Sequence, residues 1–190
     1  WANAKYTYDI GMVRTQDGGT TWSAPVLVND DGTAAEHGFV SLWPAANDRI
    51  GVAWLDGRNS AGGGHHGHEG HHEGTAPSAM TLRTAVFDAA FQRHDEREVD
   101  AMTCDCCQTD VASTADGALV VYPDRTPDED DDILPVPLQG EHAAVPVHAD
   151  GWVMPACPVN GPAVAASARD VVVGWYTRTG RVPTVELARS

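Results

Sequence analysis

The octapeptide Thr15-Gln16-Asp17-Gly18-Gly19-Thr20-Thr21-Trp22 is the stretch of sequence that decides the fold. It has the composition of a tight turn, because an Asp side chain accepts backbone N–H bonds from the residues that follow it. Gly19 supplies a positive φ, which other residues avoid. We expect Trp22 to pack beneath the sheet and residues 7–14 and 24–28 to form the two strands that the turn joins.

Three later segments repeat one plan of a short strand, a polar turn and a β-rich strand ending in an aromatic residue and an arginine. The segments begin at Ser41, Asp110 and Pro162. Their aromatic residues are Trp54, Tyr122 and Trp175, and their arginines are Arg58, Arg125 and Arg178. The aromatic positions are 68 and 53 residues apart (122 − 54 and 175 − 122). This spacing suits a four-stranded propeller blade of roughly 40–50 residues with loop insertions.

A further strand is predicted after each repeat, at Met80–Phe87, Asp132–Leu138 and Thr184–Ser190. Residues 87–98 fit either a short helix or a hairpin turn. Few stretches have a helical period, whereas short apolar runs between Gly, Pro, Asp and Asn are frequent, so the sequence predicts an all-β protein.

The octapeptide matches every fixed position of the pattern Ser/Thr-x-Asp-x-Gly-x-Thr-Trp, and so resembles the Asp box of sialidase and BNR-repeat β-propellers. Its pattern residues are Thr15, Asp17, Gly19, Thr21 and Trp22. In that family the box is structural and lies on the face opposite the active site. Four other motifs, in this order, resemble a bacterial subgroup of these propellers: Glu36-His37-Gly38-Phe39, Trp54–Arg58, Cys104–Thr109 and Cys157–Pro162.

The resemblance implies that residues 1–190 form one partial propeller domain of about three and a half four-stranded blades. The blades or blade remnants are expected at about residues 1–30, 37–101, 108–152 and 161–190. A complete propeller of six blades, with seven as the alternative, would then include chain on either side, and we expect this sequence to be the middle of a longer protein.

Blade topology places the unusual residues on one face. The first strand of a blade starts where the second one ends, so the loops before first strands and after second strands lie together. Loops on a rigid scaffold commonly carry function. The loops before first strands offer Glu36, His37 and Asn160 as ligand-binding candidates.

A sialidase of this family has an arginine triad for the substrate carboxylate, a Tyr–Glu nucleophile pair and an Asp acid/base. The resemblance makes Asp56, Arg58, Asp124, Arg125 and Arg178 the catalytic candidates. Guanidinium groups bind carboxylates in a bidentate manner. However, the family's Arg-Ile-Pro segment is absent, and the sequence identifies no Tyr–Glu pair. The alternative is that Asp56–Arg58 and Asp124–Arg125 are ion pairs that tie neighbouring loops together.

Four cysteines, Cys104, Cys106, Cys107 and Cys157, are predicted on adjacent loops of the same face. They fit two disulfides, which would place the protein outside the cytoplasm, in the periplasm or secreted. They also fit thiolate ligands of Cu(I) or Zn(II), helped by His37. The sequence leaves both alternatives open.

A Gly-rich insertion contains five histidines, His65, His66, His68, His71 and His72, which suit Zn, Cu or Ni. The alternative is a solvated loop with incidental affinity. The carboxylate run from Asp128 to Asp132 is a candidate Ca²⁺ site or a hydrated acidic loop.

The net charge of −15 disfavours nucleic acid as a partner, and no apolar run is long enough for a membrane span. Three functions remain. The first is an extracytoplasmic propeller that binds a small molecule, glycan or metal ion on its Cys- and His-bearing face. The second is a sialidase-type glycoside hydrolase, and the third is a non-catalytic structural or interaction module.

Overall fold

The fold is all-β, as predicted. The computed structural model describes residues 7–60, 79–126, 132–139, 145–149, 151–153, 159–178 and 182–190. These residues form four antiparallel sheets of two to four strands, none of them closed, with a short 3₁₀ turn at Arg58–Ser60 and no α-helix. The described part of the chain has no helix long and apolar enough to cross a membrane.

The first sheet pairs β1 (Gly11–Met12) with β2 (Val26–Leu27). Both strands lie inside the predicted segments but are much shorter than expected. The Asp-box turn joins them, closed by the Ser23 N–H, which donates to the Arg14 carbonyl at 2.9 Å.

Asp17 organises this turn. Its Oδ1 accepts the N–H groups of Thr20 at 3.0 Å and Thr21 at 2.9 Å, while Oδ2 accepts the Thr21 hydroxyl at 2.7 Å. These bonds, led by that from the Thr21 N–H, lower the pKa of Asp17 to about 2. Gly19 has a φ of 95°. The predicted roles of Asp17 and Gly19 are therefore confirmed.

The expectation for Trp22 is wrong. Its side chain is 60% exposed and leans over the turn, where a Cβ on Gly19 would lie 3.8 Å from the indole. The two-residue strands offer too little sheet surface to cover an indole.

The second sheet has the order β3 (His37–Ala45), β4 (Arg49–Asp56), β5 (Met80–Phe87) and β6 (Arg93–Thr103). The bounds of β5 agree with the prediction. Between β5 and β6 the chain makes a hairpin turn and not a helix. The Asp88 carboxylate accepts the N–H groups of Ala90 at 2.9 Å and Gln92 at 3.0 Å and so fixes that turn.

The third and fourth sheets each have three strands among the described residues. The third contains β7 (Asp110–Thr114), β8 (Gly117–Pro123) and β9 (Ile133–Pro137). The fourth contains β10 (Ala163–Ser167), β11 (Asp170–Thr177) and β12 (Thr184–Arg189). The segment 108–152, predicted as a four-stranded blade, thus contains three strands among its described residues, and the Val147 N–H donates to the Ile133 carbonyl beside the third of them.

Successive sheets pack face to face through three apolar clusters. Val28 of the first sheet region packs with Trp54 and Phe87 of the second. Leu55 and Leu82 of the second sheet pack with Tyr122 of the third, and Val121 of the third packs with Trp175 of the fourth. Because β3, β7 and β10 also contact one another in order, the first strands of the three larger sheets lie side by side.

Candidate functional site

Strand ends bring the predicted site residues together at one edge of the second and third sheets. His37 starts β3 and is the register partner of Asp56, which ends β4. The Gly57 N–H donates to the Glu36 carbonyl at 2.8 Å. Glu36, His37, Asp56 and Arg58 therefore form one cluster, as the sequence predicted.

His37 is 1% exposed and its two ring nitrogens have different partners. Nδ1 lies 3.2 Å from the Tyr8 carbonyl oxygen. Nε2 lies 3.0 Å from Asp31 Oδ2 and 3.5 Å from Asp56 Oδ1. All three neighbouring oxygen atoms act only as hydrogen-bond acceptors.

Asp56 is fully buried and ionised. The Arg58 guanidinium binds it in a bidentate manner and donates from Nε to Oδ1 at 2.8 Å and from Nη2 to Oδ2 at 2.7 Å. The Trp54 indole N–H also donates to Oδ2, at 2.8 Å. Burial by itself raises the pKa of Asp56, but the hydrogen bonds from Arg58 and Trp54 outweigh it, and the pKa is lowered.

Arg58 extends this network to two more carboxylates. Its Nη2 lies 3.3 Å from Asp31 Oδ2 and 3.2 Å from Glu96 Oε1. Asp56 and Arg58 form an ion pair, as one interpretation of the sequence predicts, and Arg58 connects this pair to Asp31 and Glu96 on other segments. No sequence motif identified Asp31 and Glu96, which lie 27 and 38 positions from Arg58 in unremarkable polar segments.

Asp31, His37 and Asp56 have the geometry of a metal-ligand group, since one donor atom of each lies within 4.8 Å of the others. His37 directs Nδ1 at a carbonyl and Nε2 at the carboxylates, which is the orientation typical of metal-ligating histidines. Yet Arg58 already places a positive charge against both carboxylates. This cluster is therefore better described as an ion-pair network than as a cation site.

Tyr8 and Glu36 form a pair that the sequence did not identify. The Tyr8 hydroxyl donates to Glu36 Oε1, and the two residues are also joined by a parallel β-bridge. Burial, followed by the Glu36 hydrogen bond, raises the pKa of Tyr8 above its usual range. The two residues are 28 positions apart and lie outside the named strands, so only the fold reveals the pair.

The Cys-x-Cys-Cys loop is a second cluster at this edge. Cys104 and Cys107 form a disulfide with a Cα–Cα distance of 5.7 Å, well inside the range for such bonds. Cys106 is also disulfide-bonded. The three sulfur atoms lie within 4.8 Å of one another, so the same loop could supply three thiolates to one metal ion after reduction.

Asp105 anchors this cysteine loop. Its Oδ1 accepts the Met80 N–H at 3.0 Å, and its Oδ2 accepts a hydrogen bond from Arg125 Nη1 at 2.9 Å. The ion pair predicted between Asp124 and Arg125 is thus replaced by one between Asp105 and Arg125, because the guanidinium turns towards the preceding loop. The loop itself is tied to the end of β8, where the Cys104 N–H donates to the Pro123 carbonyl at 3.2 Å.

Asp124 lies beside this anchor. Burial, followed by repulsion from Asp100, raises its pKa to about 6. Asp100 in turn accepts the Tyr122 hydroxyl at 2.6 Å. Asp124 is therefore a carboxyl group that exchanges its proton near neutral pH, which is a property of many acid/base catalysts.

The remaining predicted residues fall in three places. Asn160 is exposed beside Gly161, where an added Cβ would lie 1.9 Å from the Gln108 carbonyl oxygen, so their two loops are in contact. Arg178 is exposed just after β11. Cys157, Asp128–Asp131 and the five histidines His65, His66, His68, His71 and His72 lie outside the described residues.

Comparisons with known proteins give no family for this chain. No family model matches it, and no curated protein or solved structure matches it.

Proposed function

We propose that this chain is part of an extracytoplasmic, sialidase-like (Asp-box) β-propeller that binds a soft metal ion through its Cys104–Cys107 loop. The observation that carries the proposal is the grouping of three sulfur atoms within 4.8 Å in a stretch of four residues.

The order and packing of the sheets support the propeller. In a propeller, the innermost strand of each blade borders the axis and its counterparts in neighbouring blades. Here β3 and β7 are joined by Ser41, whose hydroxyl donates to the Thr109 carbonyl at 2.7 Å. The Val164 N–H of β10 donates to Asp110 Oδ2 of β7 at 2.8 Å. The Asp-box turn adds a motif of that fold.

Disulfides support the extracytoplasmic location, since such bonds persist in oxidising compartments. Metal binding requires the reduced loop, because only thiolates ligate: a dithiol reductant gives two electrons and two protons to the Cys104–Cys107 disulfide and is itself oxidised to a disulfide. Cys104 and Cys107 are buried, whereas Cys106 is partly exposed and offers the ion an approach. Three thiolates favour Cu(I), with Zn(II) as the second choice.

The test is an anaerobic titration of the reduced chain with Cu(I) against a chromophoric Cu(I) chelator. We expect one strongly bound ion per chain and a loss of affinity of more than about tenfold in Cys106→Ser. A matched variant with His65, His66, His68, His71 and His72 changed to Ala should keep that ion. Unchanged affinity in Cys106→Ser, or loss in the histidine variant alone, would contradict the proposal.

A glycoside hydrolase of the sialidase kind is the second candidate, and two observations favour it. Tyr8 and Glu36 form a hydrogen-bonded pair, and the pKa of Asp124 is about 6. Release of fluorophore from a sialoside, with kcat reduced at least about a hundredfold in Asp124→Asn and in Tyr8→Phe, would support it. No release would dismiss it, and failure of both assays would leave the structural module.

A further inference from the structure

A cavity of about 530 Å³ lies between the second and third sheets, at the end away from the cysteines. It is bordered by the β3–β4 turn at Asn47 and by the β7–β8 turn at Thr114–Gly117. β3 begins at His37 and ends at Ala45, and a strand rises roughly 3.3 Å per residue. The two turns therefore lie at the opposite end of the strands from the His37 cluster, roughly 25 Å along β3, and the cavity there is a separate site.

The walls of this cavity combine an apolar floor with a polar rim. Trp43, Val86 and Leu138 contribute the floor. The rim carries amides, hydroxyls and charges from Asn47, Arg49, Asp95, Arg97, Ser113, Thr114 and Gln139. Cavities that take small molecules typically measure 300–1,000 Å³ and pair an apolar lining with a few convergent polar groups.

The two arginines of the rim differ from most others in the described chain. Six arginines elsewhere are ion-paired to Asp or Glu: Arg58, Arg83, Arg93, Arg125, Arg169 and Arg189. Among the described residues, Arg49 and Arg97 have no ion pair. The side chain of Arg97 donates to the Leu138 carbonyl, which leaves its charge uncompensated.

This lack of partners is informative because the protein is strongly acidic, with 27 Asp and Glu residues against 12 Lys and Arg. Two guanidinium groups face one carboxylate, that of Asp95, in the cavity lining. The cavity is thus a local positive site on a negative protein, and guanidinium groups recognise oxyanions through paired N–H donors.

The rim includes a turn and an irregular point of a strand. Asn47 and Asp95 have φ values of 59° and 54°, in the left-handed region. Asn and Asp adopt this region more readily than most residues, and Asn47 does so in the β3–β4 turn. At Asp95 the register between β5 and β6 also shifts, between Thr84 and Val86, which turns the Asp95 side chain into the rim.

We propose that this cavity binds a small sugar acid. Arg49 and Arg97 bind its carboxylate, Asp95 with the carboxamides of Asn47 and Gln139 binds its hydroxyls, and the apolar floor covers the ring. This site is independent of the metal site and of any chemistry at the other end of the sheets.

The test is a titration of the chain with glucuronate, followed by ¹⁵N-resolved NMR of the backbone and side-chain amides. We expect saturable shifts at Asn47, Thr114 and Gln139, and a response to glucose or to inorganic phosphate at least about tenfold weaker. The double variant Arg49→Gln/Arg97→Gln should lose binding by a factor of about ten or more.

The control is the double variant Arg169→Gln/Arg189→Gln, which also removes two positive charges, both from exposed ion pairs. It should bind glucuronate as the parent chain does. Equal losses of affinity in the two double variants would assign the effect to net charge and overturn the proposal. Equal binding of glucose would show that the arginines do not recognise a carboxylate. Stronger binding of phosphate would show that the site takes a simple anion and not a sugar acid. Either result would overturn the proposal. The spectra themselves report whether each variant is folded.

Discussion

At the scale of the residue, Asp56 is held ionised in the interior by four donors. Arg58 contributes its backbone N–H, its Nε and one Nη, and Trp54 its indole N–H. Replacing one member of a buried pair leaves the other charge without compensation and costs about 3–5 kcal/mol. We therefore expect Asp56→Asn to lower the free energy of unfolding by that amount.

Urea unfolding measures this loss. Asp170→Asn is the matched control, because Asp170 pairs with Arg189 on the exposed surface of the fourth sheet. It should change the free energy by less than about 0.5 kcal/mol. Equal effects of the two substitutions would show that the Asp56 network adds nothing beyond a surface pair.

Asp124 gives a prediction about pH. Its pKa is about 6 in the folded chain against 3.8 for the ordinary group, so the folded state holds the proton more tightly than the unfolded state. Stability should therefore fall as the pH rises from about 4 to about 6. Asp124→Asn keeps the uncharged form and should be more stable than the parent chain at pH 7, by about 1–2 kcal/mol.

Unfolding free energies at pH 4.5 and pH 7 test this prediction. The parent chain should lose more stability than Asp124→Asn between the two pH values. An identical loss in both proteins would assign the slope to other carboxyl groups.

Single residues also show where sequence reasoning succeeds and where it stops. The roles of Asp17 and Gly19 depend on neighbours within four positions, so the motif was sufficient to predict them. Arg58 has partners 27 and 38 positions away, and Tyr8 has a partner 28 positions away. These contacts depend on which strands lie next to each other. Trp22 was misplaced because its burial depends on the size of the sheet beneath it.

At the scale of the element, Gly51 shows why β4 can lie against Trp43. A Cβ at position 51 would come within 1.9 Å of the Trp43 indole, whose ring crosses the strand at that point. Gly51→Ala should therefore displace the indole and destabilise the chain by about 1–3 kcal/mol.

Thermal unfolding followed by circular dichroism measures this effect. Gly11→Ala is the control, because no atom lies within 4 Å of its added Cβ and its φ is not positive. It should leave Tm almost unchanged. A parent-like Tm in Gly51→Ala would mean that the strand yields to the methyl group without cost.

The strands are predicted most accurately where alternating apolar and polar residues are bounded by turn-forming residues. β5 was predicted with its observed bounds, and β8 and β11 end at the aromatic and arginine signature. The polar pattern of residues 87–98 has no clear period and therefore fits a helix and a hairpin equally well. The structure resolves them through the Asp88 turn, whose hydrogen bonds favour the hairpin.

At the scale of the whole molecule, Ser41 and Thr109 join the second and third sheets at their first strands. Both side chains are buried, and the Thr109 hydroxyl donates to the Phe39 carbonyl at 2.9 Å. Thr109→Val keeps the shape but leaves buried acceptors unsatisfied, at a cost of about 1–3 kcal/mol. We expect lower stability and a looser connection between the two sheets.

Urea unfolding by tryptophan fluorescence and by circular dichroism tests this connection. The two signals should coincide in the parent chain and move apart in Thr109→Val. Thr184→Val, on the exposed strand β12, should keep them together. Coincident signals at an unchanged midpoint in Thr109→Val would show that apolar packing alone couples the sheets.

The contact between the two ends of the His-rich insertion affects how the length of this insertion can change in evolution. The Ser60 hydroxyl donates to the Ala79 carbonyl at 3.0 Å, so the chain leaves and re-enters the sheet at nearly the same point. The entropic cost of a closed loop grows only logarithmically with its length. Insertions and deletions between these residues are therefore nearly neutral for folding. Selection can lengthen, shorten or replace this segment while β4 and β5 are inherited unchanged.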